Sequence, residues 1–397
     1  MKIIGNNKII MTDERQENAI EQLQKIINHP AFKYEKVRVM PDYHCGAGVV
    51  IGFTSTYSDI IIPNVVGVDI GCGVITYKLG NMDIDFQTFD DEVRKRIPLG
   101  FNHRKNLDVF EQYGEHCDPW LQDFEQEFAE SDFREGFTTH RKDAPKLAFG
   151  DIRLQLGTLG GGNHFIEMEQ DSDGEKYLSI HSGSRNFGLR VAKSWQDHAK
   201  HLMDVFRIRM DKDLEFLPME FGGQEYVDHM VLAQHFASMN RRFMLWECLD
   251  ALGVDFHESD FIESVHNYID TERGIIRKGA IEADSGKDLI IPLNMRDGIV
   301  VGKGVSDETI LKNWNYSAPH GAGRIMSRKQ AHRTLSVDDF TREMQGIWST
   351  SVGEATLDEA PMVYKDADMI VRDIAEVVNV EKIIKPIYSL KSDQEAF

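Results

Sequence analysis

The chain has 397 residues, enough for a large core and compatible with one elaborated domain or two closely packed ones. Its 45 Lys and Arg against 65 Asp and Glu give a formal charge of −20, which excludes a protein that coats nucleic acid non-specifically and leaves room only for a local basic site. No apolar run approaches the roughly 20 residues of a membrane-spanning helix, the N-terminus "MKIIGNNKIIMTDERQ" lacks a signal-peptide h-region, and four scattered cysteines without CxxC spacing suggest neither a disulfide framework nor a zinc knuckle, so the chain reads as cytoplasmic.

In chain order, Thr12 is a candidate N-cap, followed by acidic Asp13 and Glu14 and by Ala19, Ile20, Leu23, Ile26 and Ile27 at helical spacing before Pro30. From Tyr34 to Leu79 the β-branched runs "VVIGF" and "IIIPNVVGVDI" predict strands joined by tight loops. Residues 82–145 are helical and strongly charged, and strand and glycine texture returns between 146 and 190. A long helical stretch is predicted over about 189–252, with "MVLAQHFASMNRRFMLWECL" as its core-facing part, and strands resume over 260–305. The rest alternates and ends in a polar tail, 392–397. With no fixed-period repeat and no low-complexity linker, the pattern favours one α/β or α+β body over residues 1–391, mixed sheets flanked by helices, with helical insertions at about 82–145 and 189–252.

The chemistry-bearing residues gather at strand ends and glycine turns. "GVDIGCG" sets Asp69 and Cys72 three apart in a turn, close enough to converge as a carboxylate and a thiolate ligand. "GTLGGGNHFIEME" leads four glycines into Asn163, His164 and Glu167, "SIHSGSRNFG" puts His181 at a strand end with Arg185 after it, and "ESVHNYI" holds His266 in an alternating segment. Singly, each histidine also reads as a half-buried hydrogen-bonder, and Cys72 as packing. As a set, Asp69, Cys72, His164, His181 and His266 exceed the four ligands of a closed structural zinc site. They suggest an open catalytic site or two adjacent metals bridged by Cys72, without selecting among Mn²⁺, Zn²⁺, Co²⁺ and Fe²⁺. By contrast His29, His103, His116, His140, His198, His201, His229, His235, His257 and His332 lie in charged or helical surroundings, and most read as solvated or packed.

"SAPHGAGR" at 317–324 differs from these motifs. Arg324, Arg328 and His332 recur every four residues behind a glycine-rich turn, a basic face in an acidic chain. A glycine turn opening a basic helix is suited to hold phosphate, and beside it a neutral His320 could attack a phosphoryl group to form a phosphoramidate; the alternative is a solvated helix face.

The order of "MPDYHCGAGVVIG" (40–52), "NVVGVDIGCG" (64–73), "LGGGNHFIE" (159–167), "HSGSRNFG" (181–188), "HN" (266–267), "SAPHGAGR", "DEAPMVYKD" (358–366) and "IKPIYSLK" (384–391) resembles the RtcB family of RNA ligases over nearly the whole chain. The resemblance implies that Cys72 bridges two Mn²⁺ ions held also by Asp69, His164, His181 and His266, and that His320 attacks GTP and becomes guanylylated. GMP then passes to an RNA 3′-phosphate, formed where necessary by opening a 2′,3′-cyclic phosphate, and a 5′-hydroxyl attacks that end and expels GMP, in RNA repair or tRNA splicing.

By the same resemblance the guanylate pocket uses Asn163, His164, Phe165, Ile166 and Glu167, then His266 and Asn267, then Pro292, Leu293, Asn294 and Met295. His320, Gly321, Ala322 and Gly323, with Tyr364 and Lys391, complete it. Glu167 and Lys391 suit the edge of guanine, and Arg185, Arg324 and Arg328 suit RNA phosphates. An archease-type activator is compatible with the resemblance. The chain departs from the family pattern at "PLNMRDGI", where many members have "PGSMG" and Ile299 falls at a serine position, and at Cys45, where proline is frequent. Asp42 and His44 are kept, as expected supports of the metal ligands. Two other readings use the same residues: a metal-dependent phosphoesterase with His320 as a general acid, and an enzyme that guanylylates ends without joining them. A non-catalytic RNA-end binder is disfavoured because every expected ligand and the nucleophile are present.

Overall fold

The structure, a computed structural model, describes residues 1–113, 122–126, 128 and 152–394. It is a mixed α and β fold built on two large sheets. One has seven strands, all antiparallel, in the order Phe261–Val265, Gly73–Gly80, Lys176–Ser182, Phe165–Gln170, Val378–Leu390, Gly298–Gly304 and Asp288–Asn294. The other has six, in the order Lys2–Gly5, Lys8–Ile10, Val37–His44, Ile51–Thr56, Ile275–Lys278 and Asn267–Asp270, with one parallel pairing, between the second and third. Helices pack beside antiparallel sheets, the α+β side of the expected class. Among the described residues no helix is long and apolar enough to cross a membrane.

The first helix is Glu17–Ile26, burying Ala19, Ile20, Leu23 and Ile26 as the spacing predicts. Thr12 is not its cap: the Thr12 hydroxyl donates to Asp373 Oδ2 at 2.5 Å, and Gln16 N–H donates to the Tyr43 hydroxyl at 3.0 Å, so tertiary ties hold the chain extended until Glu17. "IIIPNVVGVDI" is not a continuous strand. Only Ile60–Ile61 pairs, and Pro63, with its φ preset for a first helical turn, opens a short helix, Pro63–Val66. Of the predicted 82–145 insertion, Phe86–Arg96 and Asp108–Gln112 are helices, the former capped by Asp85; after Tyr113 only 122–126 and 128 of it are among the described residues, and Cys117 lies outside them.

The predicted 189–252 stretch is two helices, Arg185–Val205 and Gly223–Leu252. Between them Leu217–Pro218 pairs with Ile60–Ile61, which draws the chain out of helix. The second helix is buried around most of its circumference, as a central helix must be, and two of its polar residues organise the site. Asn240, fully buried, donates to Thr158 O at 3.1 Å and Gly183 O at 3.2 Å, while Thr158 N–H donates back to Asn240 Oδ1 at 3.0 Å. Arg241, equally buried, donates to Gly71 O at 2.7 Å and Ser182 O at 2.8 Å and is braced by Glu263. One helix thus fixes three loops whose carbonyls would otherwise be unpaired.

Candidate active site

Four adjacent strands of the seven-stranded sheet end together. Gly73 pairs with Ser182 and with Val265, and Phe165 with His181, so Cys72, His164, His181 and His266 arrive at one sheet end from four separate pieces of chain. Cys72 Sγ lies 3.5 Å from His164 Nε2 and 3.2 Å from His181 Nε2. His164 Nε2 is 3.0 Å from Asp69 Oδ2, and His181 Nε2 is 3.4 Å from His266 Nε2. The five donors therefore run Asp69, His164, Cys72, His181, His266, with sulfur in the middle, and Cys72, His164 and His181 form a compact group able to hold a metal ion.

Hydrogen bonding fixes the tautomers. His164 Nδ1 is 2.8 Å from Leu159 O and His181 Nδ1 is 3.0 Å from Asn163 O. A carbonyl only accepts, so each Nδ1 carries a proton and each Nε2 faces the cluster. His164 Nε2 and Asp69 Oδ2 lie 3.0 Å apart, a site that either a shared proton or a cation satisfies. Donor separations of this size match ligands about 2.0–2.3 Å from a common ion. Burial, with the neighbouring imidazoles, pushes His181 and His266 well below the usual histidine range. Burial and the Asp69 charge push the Cys72 thiol up, whereas hydrogen bonding and charge from His164 outweigh burial at Asp69 and hold its carboxyl down. Imidazoles kept neutral by burial at His181 and His266, an ionised carboxylate and a thiol that a cation would deprotonate fit a divalent transition metal.

The cluster opens into a cavity of about 250 Å³. His320 stands in it just past the strand Ser317–Pro319, its ring 4.8 Å from that of His266. His320 Nδ1 is 2.6 Å from Asp42 Oδ2, a fully buried carboxylate whose other oxygen has no hydrogen-bond partner. His320 Nδ1–H therefore donates to Asp42, and Nε2 is free to act. The HGAG turn permits the approach: a Cβ on Gly323, at φ +76°, would sit 1.9 Å from Asp42 O, and one on Gly279, at φ +63°, would meet Ile51 at 2.1 Å and His320 at 3.3 Å.

The cavity wall includes Asp69, Cys72, Asn163, Phe165, Glu167, His181, His266, Asn267, Pro292, Leu293, Asn294, Met295, Gly321, Ala322, Gly323, Arg324, Arg328, Tyr364 and Lys391. His164 touches the donor cluster from behind the wall. Ile166, its side chain alternating to the opposite sheet face, is packed in the core with Leu178 and Leu390. Arg185 does not reach the cavity: it is buried, with Nε donating to Thr158 Oγ1 at 2.9 Å and Nη2 to Gly100 O at 2.5 Å. Ile299 is buried in the sheet, and Cys45 is exposed. Asp42 and His44 touch none of the five metal-ligand candidates through a hydrogen bond; Asp42 serves His320.

The basic segment differs from its predicted form. The helix is Arg328–Thr334, capped by Ser327, so the HGAG turn does not open it and Arg324 lies ahead of it. Both arginines converge on Glu359: Arg324 Nη1 at 3.2 Å and Arg328 Nη1 at 2.8 Å from Oε1, while the Tyr364 hydroxyl donates to Oε2 at 2.7 Å and Lys391 Nζ lies 3.4 Å from it. Burial works against this carboxylate, but Lys391, Arg328 and Arg324 hold it at about 2. Glu359 lines the cavity without having been singled out in the sequence; the signal was there, since two arginines and a lysine brought to one acidic chain's cavity require a counter-charge. Glu167 accepts from Ser389 Oγ at 2.7 Å, and burial raises its carboxyl.

A family model described as tRNA-splicing ligase RtcB matches residues 22–392. The chain is 29% identical over 396 residues to RNA-splicing ligase RtcB of Escherichia coli (strain K12), covering 95% of this chain and 94% of that protein. It is 28% identical over 424 residues to tRNA-splicing ligase RtcB of Aeropyrum pernix, covering 87% and 85%, and 26% identical over 479 residues to tRNA-splicing ligase RtcB of Nanoarchaeum equitans, covering 98% and 95%. Matched by the family model from residue 22 to residue 392, the chain belongs to the RtcB family.

Proposed function

We propose that the chain is a GTP-dependent RNA ligase that joins an RNA 3′-phosphate, or a 2′,3′-cyclic phosphate once opened, to a 5′-hydroxyl through guanylylated His320 and an RNA-(3′)pp(5′)G intermediate. The observation that carries the reading is His320 itself, held by a buried carboxylate at Nδ1, with Nε2 free, against a donor cluster in one cavity. The relatives' names, RNA-splicing and tRNA-splicing ligase, support RNA as substrate.

In this reading His320 Nε2 forms the bond to the α-phosphorus of GTP as pyrophosphate leaves, and the Asp42 carboxylate balances the charge that develops on the ring. Asp69, Cys72, His164, His181 and His266 would hold a pair of Mn²⁺ ions, with Cys72 shared, and the ions when bound neutralise phosphate charge and polarise its oxygens. Asn163, Phe165, Asn267, the 292–295 segment, the Gly321–Gly323 turn and Tyr364 wall the guanylate, with Glu167 and Lys391 toward the base. Arg324 and Arg328, tied to Glu359, offer guanidinium edges to RNA phosphate, while Arg185 acts by bracing the 158–164 loop from within. The enzyme works as one domain over residues 1–391, with a polar tail at 392–397, in the cytoplasm, on broken RNA or tRNA halves.

Incubation with Mn²⁺ and α-labelled GTP, followed by a chase with 3′-phosphate and 5′-hydroxyl RNA, tests the reading. An acid-labile, alkali-stable adduct that chases into joined RNA and disappears in His320→Ala, with bound metal unchanged, is expected. A metal-dependent phosphoesterase gives no adduct, and an end-guanylylating enzyme accumulates capped ends without joined product; either result overturns the proposal.

A further inference from the structure

The cavity holds one histidine that the reaction above leaves idle. His44 ends the strand Val37–His44 and lines the same cavity as His320. Its Nδ1 is 3.0 Å from the main-chain oxygen of Asp42, so that nitrogen carries the proton and Nε2 is a lone pair. Asp42 therefore holds both imidazoles, His44 through its carbonyl and His320 through its carboxylate. Burial, with the charges of His320 and Lys365, outweighs Asp42 and keeps His44 neutral, with a pKa of about 4. Substrate phosphates in the cavity oppose that shift and raise the basicity of Nε2.

The chemistry needs such a group. His320 and an RNA 3′-phosphate attack through atoms that carry no proton, but a 5′-hydroxyl, or the water that opens a cyclic phosphate, must lose one. The other titratable groups on the wall are engaged: Asp69, Cys72, His181 and His266 in the donor cluster, Glu167 with Ser389, and Glu359 with its three cations.

We propose that His44 is a catalytic residue whose Nε2 takes the proton of the attacking oxygen. In joining, the 5′-O–H bond breaks toward His44 Nε2 as that oxygen bonds to the RNA 3′-phosphorus. The bond from that phosphorus to its bridging oxygen breaks, the electron pair leaves with GMP, and the imidazolium returns its proton to solvent. The inference rests on the ligase reading and adds a residue to it.

The test uses the full-length chain with Mn²⁺, comparing wild type, His44→Ala and His44→Asn; the asparagine amide keeps a donor for Asp42 O but supplies no base. Adduct formation from GTP and joining of preformed RNA-(3′)ppG to 5′-hydroxyl RNA are timed separately. Joining is expected to fall at least about 100-fold more than adduct formation in both variants, the range for loss of a general base. Added imidazole is expected to recover His44→Ala joining at least tenfold, and the pH profile of joining to lose its basic-group limb. Equal losses in the two steps would make His44 a support for His320 and overturn the proposal, as would undiminished joining. Failure of the ligase reading looks different, because wild type itself then forms no adduct.

Discussion

Asp42→Asn isolates the charge behind His320 while keeping size and shape. The carboxylate is 2.6 Å from Nδ1, and its charge lies roughly 4 Å from the centre of an imidazolium forming on the ring. Unit charges at about 4 Å and an effective dielectric near 20 interact by about 4 kcal/mol, so guanylylation is expected to slow about 10³-fold. An asparagine that turned its N–H₂ toward Nδ1 would also force the ring proton onto Nε2 and deepen the loss, as the same change does in a serine-protease triad at about 10⁴-fold. Stability should hardly change, because Asp42 is a fully buried charge with one oxygen unpartnered and its removal relieves a desolvation cost. Metal content should not change either, since Asp42 makes no hydrogen bond to the donor cluster. Single-turnover incorporation of α-labelled GMP, quenched in alkali, reads the rate directly. A variant within tenfold of wild type would show that the Asp42–His320 contact does not prepare the nucleophile.

Cys72→Ala removes the central donor, so Mn²⁺ should no longer raise the melting temperature, whereas His320→Ala should keep that response; equal responses in the two variants would refute a thiolate shared by the metal centre. Glu359 predicts an acid sensitivity: its folded pKa, about 2, lies below its ordinary 4.5, so the unfolded chain binds more protons between those values and stability falls as pH drops through that window. The loss is at most about 3 kcal/mol, and Glu359→Gln, weaker at pH 7 because three cations lose their counter-charge, should show a flatter decline in urea midpoint from pH 5 to pH 2. Parallel declines in the two proteins would refute the assignment.

The legible part of the site was the part made locally. Asp69 and Cys72 share one turn, and His164, His181 and His266 each sit where a strand meets a loop, so residue type and glycine context were enough to group them before any pairing was known. What completes them comes from strand register and long-range packing, which no window of sequence contains. Asp42 meets His320 across 278 positions of chain, and Glu359 gathers Arg324 and Arg328 from 35 and 31 positions before it and Lys391 from 32 after it. Asn240 and Arg241, polar residues within a core-facing helix, are the donors that hold the 71, 158 and 182–183 carbonyls. The fold misreadings have the same origin. Thr12 had the right side chain for a cap, but Asp373 engages its hydroxyl; the HGAG turn had the glycines of a phosphate loop, but Ser327 caps the helix seven residues after His320. In that turn Gly323 serves close packing on Asp42 instead, which is why a turn that does not open the helix still brings His320 to its carboxylate.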